Sequence, residues 1–153
     1  MQEKRVWLKN PLAILADQAK GGLVVCGSKI VELVGDGQKP SNISETIDCS
    51  ALVILPGLIN THHHFYQTLT RAHPDAINKE LFDWLKSLYP IWGRAVNPES
   101  FRLATRLALT ELLMSGCTTV SDHHYVYPGG VENAMDIQVE EAERLGMRIT
   151  LNR

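Results

Sequence analysis

Three consecutive histidines, His62-His63-His64, close an apolar run that begins at Leu52. Side chains alternate faces along an extended chain, so His62 and His64 project to one side and His63 to the other. Two imidazoles in that register can share one cation through nitrogen at about 2.0–2.1 Å, a donor set suited to Zn²⁺ or to Fe²⁺. A bare His-x-His is equally a solvated polar loop. The setting favours ligation, because a buried strand ending in His-x-His delivers both rings to the carboxyl end of a parallel sheet, where α/β folds build their sites. His123 and His124 end a second apolar run in the same way, and a supporting hydrogen bond suits them better than ligation. Gln67, three residues past His64, carries an amide with both donor and acceptor, able to read the N–H/C=O edge of a flat heterocycle or to bond loop backbone. Trp84, Tyr89 and Trp92 could wall such a ring, Trp92 first among them, although aromatics at helical spacing also serve as core. Arg71 fits a surface ion pair better than a substrate contact.

The elements that must place these residues can be read from periodicity. Residues 1–52 read as a small β-sandwich-like module: Leu23–Cys26 and Lys29–Val34 are β-branched runs around Gly27-Ser28, a two-residue connection suited to a type II′ turn, and Ile47–Cys49 is a further short strand. From residue 53 to 153 the pattern changes to strand, helix, strand, helix, strand. Leu52–Leu55 reads as a strand covered on both faces, running through Pro56-Gly57 into Leu58-Ile59. Lys79–Leu88 has helical spacing ended by Pro90. Asn97 and Pro98 are a cap and first-turn pair for a helix stopped by Gly116. Cys117–Ser121 is a short buried strand, Val131–Leu145 a second helix closed by Gly146, and Met147–Leu151 a third strand. Such βαβ units build an open doubly wound sheet or a (β/α)₈ barrel. No Gly-x-Gly-x-x-Gly follows the first strand, and histidines at its carboxyl end favour the barrel. A barrel needs about 250 residues, so residues 53–153 are expected to be the first βα units of an incomplete one, the N-terminal portion of a longer enzyme.

Composition excludes several functions. Fifteen basic and seventeen acidic residues give a net charge of −2, which argues against a nucleic-acid partner. The longest apolar stretch is too short to span a membrane, and the Met-Gln-Glu-Lys-Arg start has no secretory pattern. Cys26, Cys49 and Cys117 form no CxxC pair and fit reduced, buried thiols in the cytoplasm. The cytidine-type zinc deaminase signature, His-x-Glu with Pro-Cys-x-x-Cys, does not occur.

The segment Leu55-Pro-Gly-Leu-Ile-Asn-Thr-His-His-His64 resembles the first-strand signature of the amidohydrolase superfamily. Its continuation to Arg71, with Ser115-Gly-Cys-Thr-Thr-Val-Ser-Asp122, resembles the cyclic-amidine deaminase branch, which includes guanine and 8-oxoguanine deaminases and triazine hydrolases. The resemblance covers essentially the whole chain. It implies that His62 and His64 are two ligands of one Zn²⁺ (Fe²⁺ possible), that Gln67 meets the substrate, and that the protein is a homo-oligomer. It also implies that a third His, an Asp, and the His and Glu of proton transfer lie beyond Arg153; no catalytic acid or base can be assigned here. Asn60 departs from the pattern, standing where many members carry Asp. The implied reaction is hydrolytic deamination of a small purine-like ring, 8-oxoguanine first, with s-triazine or guanine as alternatives. A non-catalytic metal-binding homologue is the reading from another class.

Overall fold

The computed structural model describes residues 3–153, in two compact units that divide between Pro56 and Gly57. The N-terminal unit holds β1 (Arg5–Lys9), β2 (Ala13–Ile14), β3 (Gly22–Cys26), β4 (Lys29–Val34), β5 (Glu45–Asp48) and β6 (Val53–Ile54). Four of these form a sheet in the order β4-β3-β1-β5, in which β1 and β5 are parallel and the other pairs antiparallel. The β3–β4 turn has positive φ at Gly27 but not at Ser28, the φ signature of the expected type II′ connection. Trp7, Val24 and Val34 form its small core, and the Trp7 indole N–H donates to the Gly21 carbonyl.

The expected strand at Leu52–Leu55, running on through Pro56-Gly57 into Leu58-Ile59, is divided into two strands in two units. β6 pairs in parallel with β2, whereas β7 (Leu58–His63) belongs to the C-terminal unit. Pro56 offers no N–H to a ladder, and Gly57 is required by a close approach: a Cβ there would lie 2.2 Å from Thr118 Oγ1. Nor is the run covered on both faces among the described residues. Leu58 and Ile59, which point to opposite faces of β7, are 59% and 68% exposed, and among the described strands β7 pairs only with β8.

The C-terminal unit continues with a 3₁₀ helix (Phe65–Thr70), α1 (Leu81–Ala95), α2 (Pro98–Met114), β8 (Cys117–His123), α3 (Ala134–Leu145) and β9 (Arg148–Asn152). Its sheet has the order β7-β8-β9, all parallel, with helical crossovers. Two apolar clusters support it. One gathers Phe65, Ala108, Leu109, Cys117, Val120, Ala142 and Met147 around the strands; the other centres on Tyr66, Leu88, Trp92, Phe101 and Ile137.

α1 corrects the expected stop at Pro90. The helix runs through it to Ala95, because Leu88 and Trp92, on either side of the proline, are each 1% exposed in the second cluster. Burial of two large side chains, about 1.5–3 kcal/mol each, offsets the lost N–H bond. α2 starts as expected: Asn97 Oδ1 accepts from the Ser100 N–H and Ser100 Oγ from the Asn97 N–H, both at 2.9 Å. α3 begins at Ala134, three residues later than expected, because Val131 is spent in a turn whose carbonyl accepts from the Ala134 N–H. Gly146 ends α3 with φ +71°, the left-handed stop expected of it.

Between α2 and α3, the buried Glu141 carboxylate accepts from Arg102 at 2.9 Å and from Arg106 at 2.7 and 3.0 Å. Arg106, ahead of Arg102, holds Glu141 down at about 2 against the opposing effect of burial. A carboxyl depressed on folding adds stability above its ordinary value, near 4.5, and loses it as pH falls toward the folded one. Thermal denaturation between pH 5 and 2 is therefore expected to show a falling Tm in the wild type, with a flatter profile and a lower starting Tm in Glu141→Gln; parallel profiles would refute this.

Candidate metal centre

The site lies where β7 and β8 end. Their pairing sets His63 opposite Asp122, across register shifts on the β7 side that open the backbone at Thr61–His62. Asn60 takes part locally: its Oδ1 accepts the His62 N–H at 3.0 Å, an Asx-type turn that a neutral amide makes as well as a carboxylate.

The alternation expected of the three histidines is met. His62 and His64 face each other with Nε2 atoms 3.1 Å apart and ring planes at 89°. His63 turns away toward Phe65, and its Nδ1 accepts the His64 N–H at 2.9 Å. Burial, then the charges at His64 and Arg71, lower the His63 pKa below its ordinary value. An ion about 2.0–2.1 Å from each Nε2 would subtend about 100° across the observed gap, within reach of a tetrahedral centre.

The tautomer also fits a ligand. His64 Nδ1 lies 2.6 Å from the His123 carbonyl oxygen, which can only accept. Nδ1 therefore carries the proton, and in the neutral ring the Nε2 lone pair is left facing His62. The support anticipated from the second strand's histidines thus comes from the His123 main chain, while the His123 ring stacks on His62 at 4.5 Å. His124 is core: it is 1% exposed and packed on Tyr66, Phe101 and Tyr127, and burial pushes its pKa down to about 4.

Asp122 was not singled out by the sequence. Fully buried, it accepts the Phe65 N–H at 2.7 Å and the Gln138 amide at 2.5 Å. Burial raises its carboxyl to about 6, against those two bonds, which favour the anion. Its partners lie 57 and 16 residues away, separations that no local pattern encodes.

An open cleft of about 410 Å³ adjoins the histidines, lined by His62, His64, Gln67, Arg71, His73 and Trp84 among others. Gln67 Nε2 lies 3.1 Å from the Tyr66 hydroxyl and 3.2 Å from that of Tyr125, so two phenols hold one end of the amide of a residue that lines the cleft. Burial drives the Tyr66 phenol far above its ordinary value, keeping it neutral. Trp92 does not line this cleft. It is 1% exposed, edge-on to Tyr66, with its indole N–H donating to Thr70 Oγ1 at 3.0 Å; it serves as core, the alternative its helical spacing offered, and Trp84 is the tryptophan that reaches the cleft. Arg71 makes the expected ion pair, with Glu111, at 2.7 and 3.0 Å. Among the described residues no group of three or more His, Cys, Asp or Glu is placed to hold a metal, so the two histidines stand as a partial donor set. No helix described is long and apolar enough to cross a membrane.

The site is a partial metal-donor set at the carboxyl end of a parallel sheet, where α/β folds place their sites, and comparison with known proteins supplies the family. The amidohydrolase family model matches residues 53–153, and the chain belongs to that family. It is 56% identical over 153 residues to 8-oxoguanine deaminase of Pseudomonas aeruginosa, covering 97% of this chain and 34% of that protein. It is 43% identical to an isoxanthopterin deaminase from an unknown prokaryotic organism, over 80% of this chain and 27% of the relative. Among solved structures, atrazine chlorohydrolase from Arthrobacter aurescens TC1 complexed with zinc superimposes with a TM-score of 0.83 at 30% identity, over 95% of this chain and 35% of that one. The chain spans about a third of the length of the first of these relatives.

Elemental analysis of the complete protein provides the test of the pair. His62→Ala and His64→Ala are each expected to cut bound zinc from near one equivalent to below about a tenth, the loss of one of only a few nitrogen donors; zinc content equal to wild type in either variant would remove that residue from the ligand set.

Proposed function

We propose that this chain contributes two metal ligands and part of the substrate cleft to a zinc-dependent hydrolase that deaminates a purine-like cyclic amidine, converting 8-oxoguanine to urate and ammonia. The observation that carries the reading is the His62–His64 pair, with Nε2 atoms 3.1 Å apart and the His64 lone pair oriented by the His123 carbonyl. The identity with 8-oxoguanine deaminase and the zinc bound in atrazine chlorohydrolase support it. Fe²⁺ would suit the same imidazole donors.

In this reading β7, β8 and β9 are the first three strands of a (β/α)₈ barrel, and the N-terminal sheet is part of a composite β-sandwich. Two imidazoles leave a tetrahedral centre half filled, and a third His, an Asp and the proton-transfer pair of His and Glu come from further strands. A divalent ion held there would supply Lewis acidity and a nucleophile at neutral pH. Hydrolysis adds water at the amidine carbon; the exocyclic C–N bond breaks, a C=O bond forms, and ammonia leaves. Gln67 orients the ring by its amide, Trp84 lines the wall, and neutral Tyr66 holds the amide without adding charge. None of the cleft-lining residues is a carboxylate, consistent with an acid–base group from elsewhere. The working protein is proposed to be a cytoplasmic homo-oligomer; its three free cysteines agree with a reducing compartment.

Amine release by the complete protein decides the substrate, measured as ammonia from 8-oxoguanine, guanine, isoxanthopterin and isocytosine and as alkylamine from hydroxyatrazine. The highest kcat/KM is expected with 8-oxoguanine. Preference for hydroxyatrazine would transfer the reading to triazine hydrolysis, and zinc binding without turnover of any ring would leave a non-catalytic metal protein. Gln67→Ala is expected to lower kcat/KM roughly tenfold, about 1.4 kcal/mol for one hydrogen bond, with zinc content unchanged; unaltered kcat/KM would eliminate its recognition role.

A further inference from the structure

His64 occupies the N-cap of the 3₁₀ helix Phe65–Thr70, yet its side chain makes no capping bond, because the ring is turned toward His62 and the His123 carbonyl. The first N–H of that helix, on Phe65, has no intrahelical acceptor and is buried with its residue. Asp122 meets it at 2.7 Å. Keeping a carboxylate in a fully buried position is costly without strong partners, and among the described residues no basic side chain pairs with this one. Its two bonds are to amides: Phe65 beside the ligand, and Gln138 on α3. Asp122 and His123 are consecutive on β8, so one rigid stretch of strand grips the His64 ring through a carbonyl and the His64–Phe65 backbone through a carboxylate. Gln138, itself fully buried, locks the second carboxylate oxygen and so sets the direction of the first.

We propose that Asp122 is a positioning residue for the metal ligand His64, acting through the Phe65 amide and steadied by Gln138. The inference rests on the metal reading above. Its side chain bonds the Phe65 N–H and the Gln138 amide and so removes the freedom of His64 to swing its main chain and carry Nε2 away from His62. Loss of such support typically weakens a metal site by about 10–100-fold.

The required interaction is a hydrogen-bond acceptor at Phe65, not a charge, and the two are separable. In Asp122→Asn the side-chain oxygen can still accept from Phe65, while its amide can donate to Gln138 Oε1, which has no partner in the structure, once the Gln138 amide turns over. Zinc affinity of the complete apoprotein, titrated against a competing chelator, is expected to fall about 10–100-fold in Asp122→Ala and to stay within about threefold of wild type in Asp122→Asn. Val131→Ala, in the buried cluster that also holds Tyr66 and with no bond to Asp122 or His64 among the described residues, controls for simple loss of stability; it should lower Tm and leave zinc affinity unchanged. The visible spectrum of the cobalt-substituted protein should shift in Asp122→Ala and not in Val131→Ala. Wild-type affinity in Asp122→Ala, equal loss in Asp122→Asn, or equal loss in Val131→Ala would each overturn the proposal. If His62→Ala and His64→Ala abolish zinc binding while Asp122→Ala does not, positioning alone fails; if the histidine variants also bind normally, the metal reading fails with it.

Discussion

Where β7 runs beside β8, the carboxyl ends of two parallel strands reach the same edge, and the His123 carbonyl oxygen comes to 2.6 Å from His64 Nδ1. That bond determines which nitrogen carries the proton, and with it whether the pair can present lone pairs to a cation at all. With the opposite tautomer, His64 would aim an N–H at the position an ion would take. The geometry of the two histidines, the attachment of the following helix and the direction of the cleft all follow from this strand pairing.

The helices serve the pairing from behind. α2 and α3 return the chain so that β8 and β9 lie parallel to β7, and the Arg102–Arg106–Glu141 cluster ties those crossovers together. Packing is continuous from that layer to the site: Tyr66 stands edge-on to Trp92 at 5.0 Å, and its hydroxyl lies within hydrogen-bond distance of the Gln67 amide. A core aromatic thus holds the residue proposed to read the substrate. Trp92 belongs to this supporting layer, one step removed from the cleft.

Family membership and site geometry bear on different questions. The match over residues 53–153 places the chain among amidohydrolases, whose relatives named above include deaminases of fused heterocycles and an atrazine chlorohydrolase. The imidazole pair is common to readings across that range. Discrimination among rings is proposed to fall to the cleft, whose lining in this chain includes Gln67 and Trp84.

Much of this was legible in one dimension. Local chemistry dictated the His62/His64 alternation, the Asn97 cap, the Gly146 stop and the βαβ order, because each depends on residues within a few positions of one another. Elsewhere local signals lost to packing. Pro90 reads as a helix end, and the buried Leu88 and Trp92 carried the helix past it. Leu52–Ile59 reads as one buried strand, and pairing with two different neighbours divided it at Pro56-Gly57. Asp122, the His123 carbonyl and Tyr125 could be found only in three dimensions. Their partners on the segment from His64 to Gln67 lie 57 to 59 residues away, and a hydrogen bond across that distance exists only after the parallel strands have come together. The sequence by itself determined which side chains could bind a cation; the tertiary structure alone decided that the Nε2 atoms of His62 and His64 face each other and that the His123 carbonyl meets the opposite nitrogen of His64.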